Sequence, residues 1–399
     1  MKNKQYELIL KVQLLIGILL TLCFSLHIGH KFIFLKQESP IILCALIVIF
    51  VLTLLQNKNH YFQVMAKGLS ILVLPYVFNF LVYNGISFFN QVFPSEAMFF
   101  SIMGCILLLV VNIPWVMVAM PILKKGFLRV LSIAIIDVSW TFNINNFVNF
   151  PESLHFLVYD ALIVALESFV LAFFITKAWG LKFSWNLKFV KTSNFQLGSW
   201  LLLLGLMIWL IFFNTYLNIV DTWPELLSFW HWNNYEISYH FTADILAFSA
   251  TAGIGEETIR GLEIIALLYA MRNFKSRITS AVIISAILFS LIHLSGLNTI
   301  TNGTYYSIDM IAQQLTYALG FGLIFGVFYL YTGKLWLGML IHFLIDLETT
   351  SSDESITMFT GWPAAIIILV VSVLIFGWML TGKRRKFMED NVDRIIAVD

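Results

Sequence analysis

AMFFSIMGCILLLVVNIPWVMVAMPI, residues 97–122, holds no Asp, Glu, Lys or Arg, and its apolar residues run on without alternating. A helix rises about 1.5 Å per residue, so roughly 20 apolar residues cross the hydrocarbon core of a bilayer. Inside lipid every backbone N–H and C=O must find its partner within the segment or in a closed barrel. A continuous apolar run meets that demand as a helix, whereas a barrel strand would alternate.

The same reading extends outward along the chain. Apolar stretches of this kind fall near 7–29, 39–56, 68–91, 127–143, 155–177, 195–219, 241–271, 278–297, 308–331, 334–348 and 361–380, with 127–143 and 334–348 the shortest. Together with 97–122 they predict an all-α, polytopic transmembrane bundle of about twelve spans. Composition agrees. Of 399 residues, 59% are hydrophobic and 12% charged, about half the charged share usual in a soluble protein. The 37 Phe and 12 Trp suit lipid-facing and interfacial positions. A net charge of +1 gives no reason to expect nucleic acid as a partner. Cys23, Cys44 and Cys105 lie in apolar segments without pairing or ligand spacing and read as small packing residues.

Basic residues set the expected orientation. Lys2, Lys4, Lys58, Lys67, Lys124, Lys125, Arg129, Lys177, Lys191, Arg272, Lys275, Arg277 and the run Lys383-Arg384-Arg385-Lys386 all fall on one side of a twelve-span bundle. That side is the cytoplasmic one. Only Lys31 and Lys36 disagree. Both termini are therefore expected in the cytoplasm. No cleavable leader and no organellar or retention signal is seen, which points to a bacterial cell membrane. Three regions are expected: an accessory membrane part over 1–195, a motif-bearing core over 196–382, and a basic cytoplasmic tail over 383–399.

The division rests on where charge lies within apolar helices. Such charge is costly and marks function. It concentrates after residue 240, in three elements. Glu256, Glu257 and Arg260 sit midway along 241–271. Two adjacent carboxylates in hydrocarbon cannot both ionise cheaply, and Arg260, three and four residues on, faces either of them. One glutamate is then paired and the other free to take a proton, as a general base does; a purely structural ion pair is the plain alternative. His293 lies late in 278–297, where a lone histidine is more often a packing residue. His342 and Asp346 share a face of 334–348, either as an oriented imidazole or as a cap on the helix end. Helix rise puts all these groups in the middle to outer bilayer. There they suffice to activate water: glutamate takes the proton, and the histidines bind a metal or stabilise an oxyanion.

Phe289 and His293, then His342 and Asp346, resemble the Phe-x-x-x-His and His-x-x-x-Asn/Asp motifs of the CPBP family, the CAAX proteases and bacteriocin-processing enzymes also called Abi. The family's first motif is Glu-Glu-x-x-x-Arg. Here Glu256-Glu257-x-x-Arg260 is one residue shorter, a spacing that a helix face still accommodates, with Glu256 taken as base and Glu257 as partner. The resemblance covers roughly 240–350. It implies a glutamate-dependent intramembrane endopeptidase acting on a peptide or membrane-protein substrate. The implied setting is bacteriocin processing, immunity or surface-protein maturation. It also implies a divalent metal, zinc among the candidates, at His293 and His342. The alternative is a catalytically weak relative serving as a membrane scaffold for envelope proteins. A transporter fits less well, because no repeat relates the two halves.

Weaker candidates remain. Glu263 follows Glu256 by seven residues and either extends the polar cavity or makes a structural pair. Asp160 and Glu167 share a face of 155–177 and read as packing or partner contacts. Gly320, Gly322 and Gly326 are expected to let helices approach closely. Trp223, Trp230 and Trp232 form an interfacial belt or a lid.

Overall fold

A computed structural model describes residues 2–27, 33–141, 150–158, 161–183, 185, 191–219, 222–228, 239–296, 307–351 and 361–397. Asp160, Asp221, Trp230 and Trp232 lie outside the described residues. The chain divides into two compact units, Met1–Lys182 and Phe183–Ala397.

The first unit holds α1 (Lys2–His27), α2 (Ile33–Leu55), α3 (His60–Val92), α4 (Ala97–Val111), α5 (Ile113–Ala119), α6 (Gly126–Thr141), α7 (His155–Val158) and α8 (Leu162–Ala178). The second holds α9 (Leu197–Ile219), α10 (Trp223–Leu227), α11 (Ala243–Thr251), a π-turn (Ala252–Glu256), α12 (Glu257–Ala270) and α13 (Arg277–Ile292). It continues with α14 (Ile308–Thr332), α15 (Leu335–Ser351), α16 (Trp362–Met379) and α17 (Gly382–Ile395). Every apolar stretch read from the sequence overlaps a helix.

The count of twelve spans is not reached. Among the described residues six helical segments are long and apolar enough to cross a membrane, or seven if α7 and α8 form one bent span. The reason is local. The stretch through α11 and α12 carries Glu256, Glu257, Arg260 and Glu263 within its length. Helices α6 and α13 have 16 residues each and α15 has 17. In α2 only Ser39–Leu55 is uniformly apolar.

Apolar side chains face outward as well as inward. Leu19 is 53% exposed, Phe212 58% and Leu374 66%. On a water-facing surface such patches would be a liability; on a lipid-facing one they are the expected finish.

In the first unit a buried polar knot ties three helices. Asn79 of α3 donates to Glu167 of α8 at 2.8 Å, and Asn112, between α4 and α5, donates to Asn79 at 2.6 Å and to Glu167 at 2.5 Å. Trp115 donates in turn to Asn112 at 2.6 Å. Buried polar groups must be satisfied, and here they satisfy one another. Glu167 is therefore a packing element, one of the two roles open to it.

In the second unit α14 is the axis. Gly322 meets α13 so closely that an added Cβ would lie 2.7 Å from the Ala286 Cα, and Gly320 meets α16 with a Cβ 3.0 Å from the Leu369 backbone. These are the close approaches expected of the glycine run. Ser307 caps the start of α14 by accepting from the Met310 N–H at 3.1 Å. Gly333, at φ +64°, ends it in the left-handed conformation that glycine takes freely. The last carbonyls, of Leu330 and Tyr331, accept from Asn391 of α17 at 3.1 and 2.7 Å. The segment set apart as a basic tail thus contributes a docked amphipathic helix. Phe387, Met388, Val392 and Ile395 are its buried face.

Candidate active site

The π-turn begins the site. Gly253 within it packs backbone to backbone against α15: an added Cβ would lie 2.7 Å from the Met339 carbonyl oxygen and 2.9 Å from the Phe343 nitrogen. From the other side Gly338 of α15 leaves room for Glu257, whose Oε2 would stand 3.5 Å from a Cβ there. Single π-turns inside helices are frequent at functional sites because they re-aim the residues beside them. Here the turn ends at Glu256, and Glu257 opens α12.

The two adjacent glutamates part company. Glu257 is buried, at 1% exposure. Its Oε1 accepts from the Arg260 guanidinium and from His342 Nδ1, the latter at 2.8 Å. Arg260, 2% exposed, also lies over the Phe289 ring at 3.8 Å and near the Phe325 ring at 5.4 Å. Stacking on two rings supplies part of what a buried guanidinium loses in water. The Glu256 side chain is 32% exposed, and its Oε2 stands 3.7 Å from His342 Nε2. Asp346, one turn beyond His342, has a side chain 25% exposed with Oδ2 3.8 Å from the same nitrogen. The imidazole thus donates through Nδ1 to Glu257 and presents Nε2 to two carboxylates across gaps wide enough for water to bridge. The ring rests on Phe325, with centroids 5.3 Å apart.

Five of the six residues named from the sequence converge: Glu256, Glu257, Arg260, His342 and Asp346. Arg260 pairs with Glu257, three residues back. His293 stands apart from the acids. Its Nδ1 lies 2.9 Å from the Phe289 carbonyl oxygen and its ring meets Phe289 edge-on at 5.0 Å, on a ring that also touches Arg260. No carboxylate among the described residues comes within 4.0 Å of His293. Nor do three His, Cys, Asp or Glu side chains among the described residues gather as a metal site. Of the expected metal pair, His342 meets Glu257 through Nδ1 and His293 meets the Phe289 carbonyl through Nδ1. Glu263 accepts from Ser285 at 3.1 Å between α12 and α13, so it makes a structural pair away from His342.

Sequence reasoning missed Gly253, Gly338 and Phe325. Phe325 carried a signal, the i, i+4 aromatic series Tyr317, Phe321 and Phe325 on α14. The glycines carried none that set them apart from packing glycines.

Residues 238–347 match the family model described as Rce1-like, type II CAAX prenyl endopeptidase. The match spans all three motifs and agrees with the CPBP resemblance; the family is one of membrane proteases. No curated protein and no solved structure matches the chain.

Proposed function

We propose that the Rce1-like segment, residues 238–347, is the catalytic region of an intramembrane endopeptidase that uses Glu256 as its general base. The observation that carries this reading is the split between neighbours: Glu257 is buried and held by Arg260 and His342, while Glu256 is partly exposed and faces His342 Nε2 at 3.7 Å. One carboxylate organises the site and the other is open to water.

The steps use side chains of this chain. Glu256 takes a proton from water as its oxygen attacks the scissile carbonyl, and later returns that proton to the leaving amine. His342, as an imidazolium that keeps Nδ1–H on Glu257 and is steadied by Asp346, lies within reach of the same water and can donate from Nε2–H to the oxyanion. Arg260 and Glu257 fix the ring by its other nitrogen, so that little reorganisation is needed as charge develops. The partial burial of Glu256 and Asp346 favours a substrate that reaches the site through the membrane. A peptide or membrane-protein segment with an apolar anchor, such as a prenylated C-terminus, fits this reading. Bacterial surface-protein maturation or bacteriocin processing are its expected settings.

The test is cleavage of quenched fluorescent peptides, with and without a farnesylated C-terminal cysteine, by the full chain in proteoliposomes. Glu256→Gln should lower turnover by about 10²–10⁴-fold, the usual worth of a general base. Turnover untouched by that change would overturn the assignment. A wild-type chain that cleaves nothing, with its fold intact, would favour the scaffold reading.

A further inference from the structure

Helix α9 lies before the matched segment, yet it reaches the helices that carry the site. Its Asn214 is 4% exposed within an otherwise apolar face. The Tyr317 hydroxyl of α14 donates to Asn214 Oδ1, and Asn214 Nδ2 donates to Thr349 Oγ1 of α15 at 2.6 Å. Thr349 Oγ1 donates in turn to the Ile345 carbonyl at 2.9 Å. Donors and acceptors alternate along the series, so a single amide links α14 and α15 through a continuous chain of hydrogen bonds. Such chains reinforce one another where water is scarce.

Both ends of this chain abut the site. Thr349 and Ile345 belong to the turns that hold His342 and Asp346. Tyr317 packs on Phe321 at 4.6 Å, Phe321 on Phe325 at 5.9 Å, and Phe325 on His342 at 5.3 Å. The π-turn holds α15 from one side, through Met339 and Phe343. Asn214 holds its farther turns from another.

We propose that Asn214 is a positioning residue: by clamping Tyr317 to Thr349 it fixes the turn of α15 that sets His342 between Glu256 and Asp346. The proposal rests on the peptidase reading above for its functional consequence. The 3.7 Å between His342 Nε2 on α15 and Glu256 defines the gap a reacting water must fill, and a small shift of α15 would spoil it.

Four variants of the full chain in proteoliposomes test this: Asn214→Ala, Tyr317→Phe, Thr349→Val and Thr349→Ser. The first three should lower kcat by about 10–100-fold, as sub-ångström misplacement does, with KM within about twofold. Thr349→Ser keeps the hydroxyl and should retain most activity. A role in packing alone would reverse that order, because valine matches threonine in shape and serine does not. Hydrogen exchange gives a readout independent of turnover: Asn214→Ala should speed exchange along residues 342–349 by more than its fall in apparent melting temperature explains. Wild-type activity with Asn214→Ala unchanged in both readouts overturns the clamp and leaves the peptidase reading standing. No wild-type activity but faster exchange in Asn214→Ala overturns the peptidase reading and leaves the clamp. Valine outperforming serine at 349 overturns the clamp in favour of packing.

Discussion

Glu256 and Glu257 differ by one position and by almost everything else. Exposure, partners and role diverge because successive residues of a helix point about 100° apart, here with Glu257 turned toward Arg260 and His342, and this makes opposite predictions for the same substitution. Glu257→Gln leaves Arg260 buried without its anion, a loss of about 3–5 kcal/mol. It should appear as a large fall in apparent melting temperature in detergent. Glu256→Gln removes a partly exposed carboxylate whose partner, His342 Nε2, stands 3.7 Å away, so the melting temperature should change little while turnover is lost. Equal destabilisation by both would mean that the glutamates share one structural role. The sequence made this pair legible as a unit, from two acids and an arginine in an apolar helix. It did not show which acid the arginine would choose, because residues three and four apart share a helix face. Packing decided it, through the rings of Phe289 and Phe325 and the arrival of His342 from α15.

At the level of elements, two junctions position the site. At the first, α11 and its π-turn press on α15 at Gly253. Gly253→Ala must push Met339 or Phe343 aside, an overpacking cost of about 1–3 kcal/mol, and should lower turnover by more than the stability loss explains. Alanine with wild-type turnover would show that the contact is slack. At the second, α17 closes the end of α14 through Asn391. It is itself anchored by Thr192 and Asn194, which donate to Asp390 at 2.6 and 3.0 Å. The Thr192 hydroxyl, foremost, holds the Asp390 carboxyl below its ordinary range. A carboxylate whose pKa is lower folded than unfolded contributes stability above its unfolded pKa, near 3.9, and loses it as pH falls through the folded value. Asp390→Asn should therefore lower the melting temperature at pH 7, and the gap to wild type should close below about pH 4. A gap that persists in acid would place the anchor elsewhere. Neither junction was readable beforehand. A glycine in a helix gives no sign of what presses on it, and a charged segment after the last span reads as a tail until its buried face is seen.

For the whole molecule, helical class and membrane setting were plain from apolar run length, because lipid imposes one rule on every segment it surrounds. The number of crossings was less plain. Hydropathy finds apolar runs, and several helices here are too short or too charged to cross without neighbours. Basic residues predict that Lys383 to Lys386 lie in the cytoplasm. A cysteine introduced at Lys383 in a cysteine-free chain should react with an impermeant maleimide only after the cells are opened. Labelling of intact cells would reverse the orientation. The division of content, a buried amide knot around Glu167 before residue 182 and the charged site after 240, follows the two compact units.

The π-turn has a genetic consequence. One residue more than an α-helix needs is stored between Ala252 and Glu256. Loss of a single codon there would let the helix rewind as α rather than break it. The π-turn winds its extra residue into about the angle that an α-turn spends on one fewer, so α11 would keep nearly its present facing relative to Glu257. An in-frame deletion of codon 254 or 255 would thus act as a local tightening, removing the widened turn beside Gly253 without removing any side chain that does chemistry.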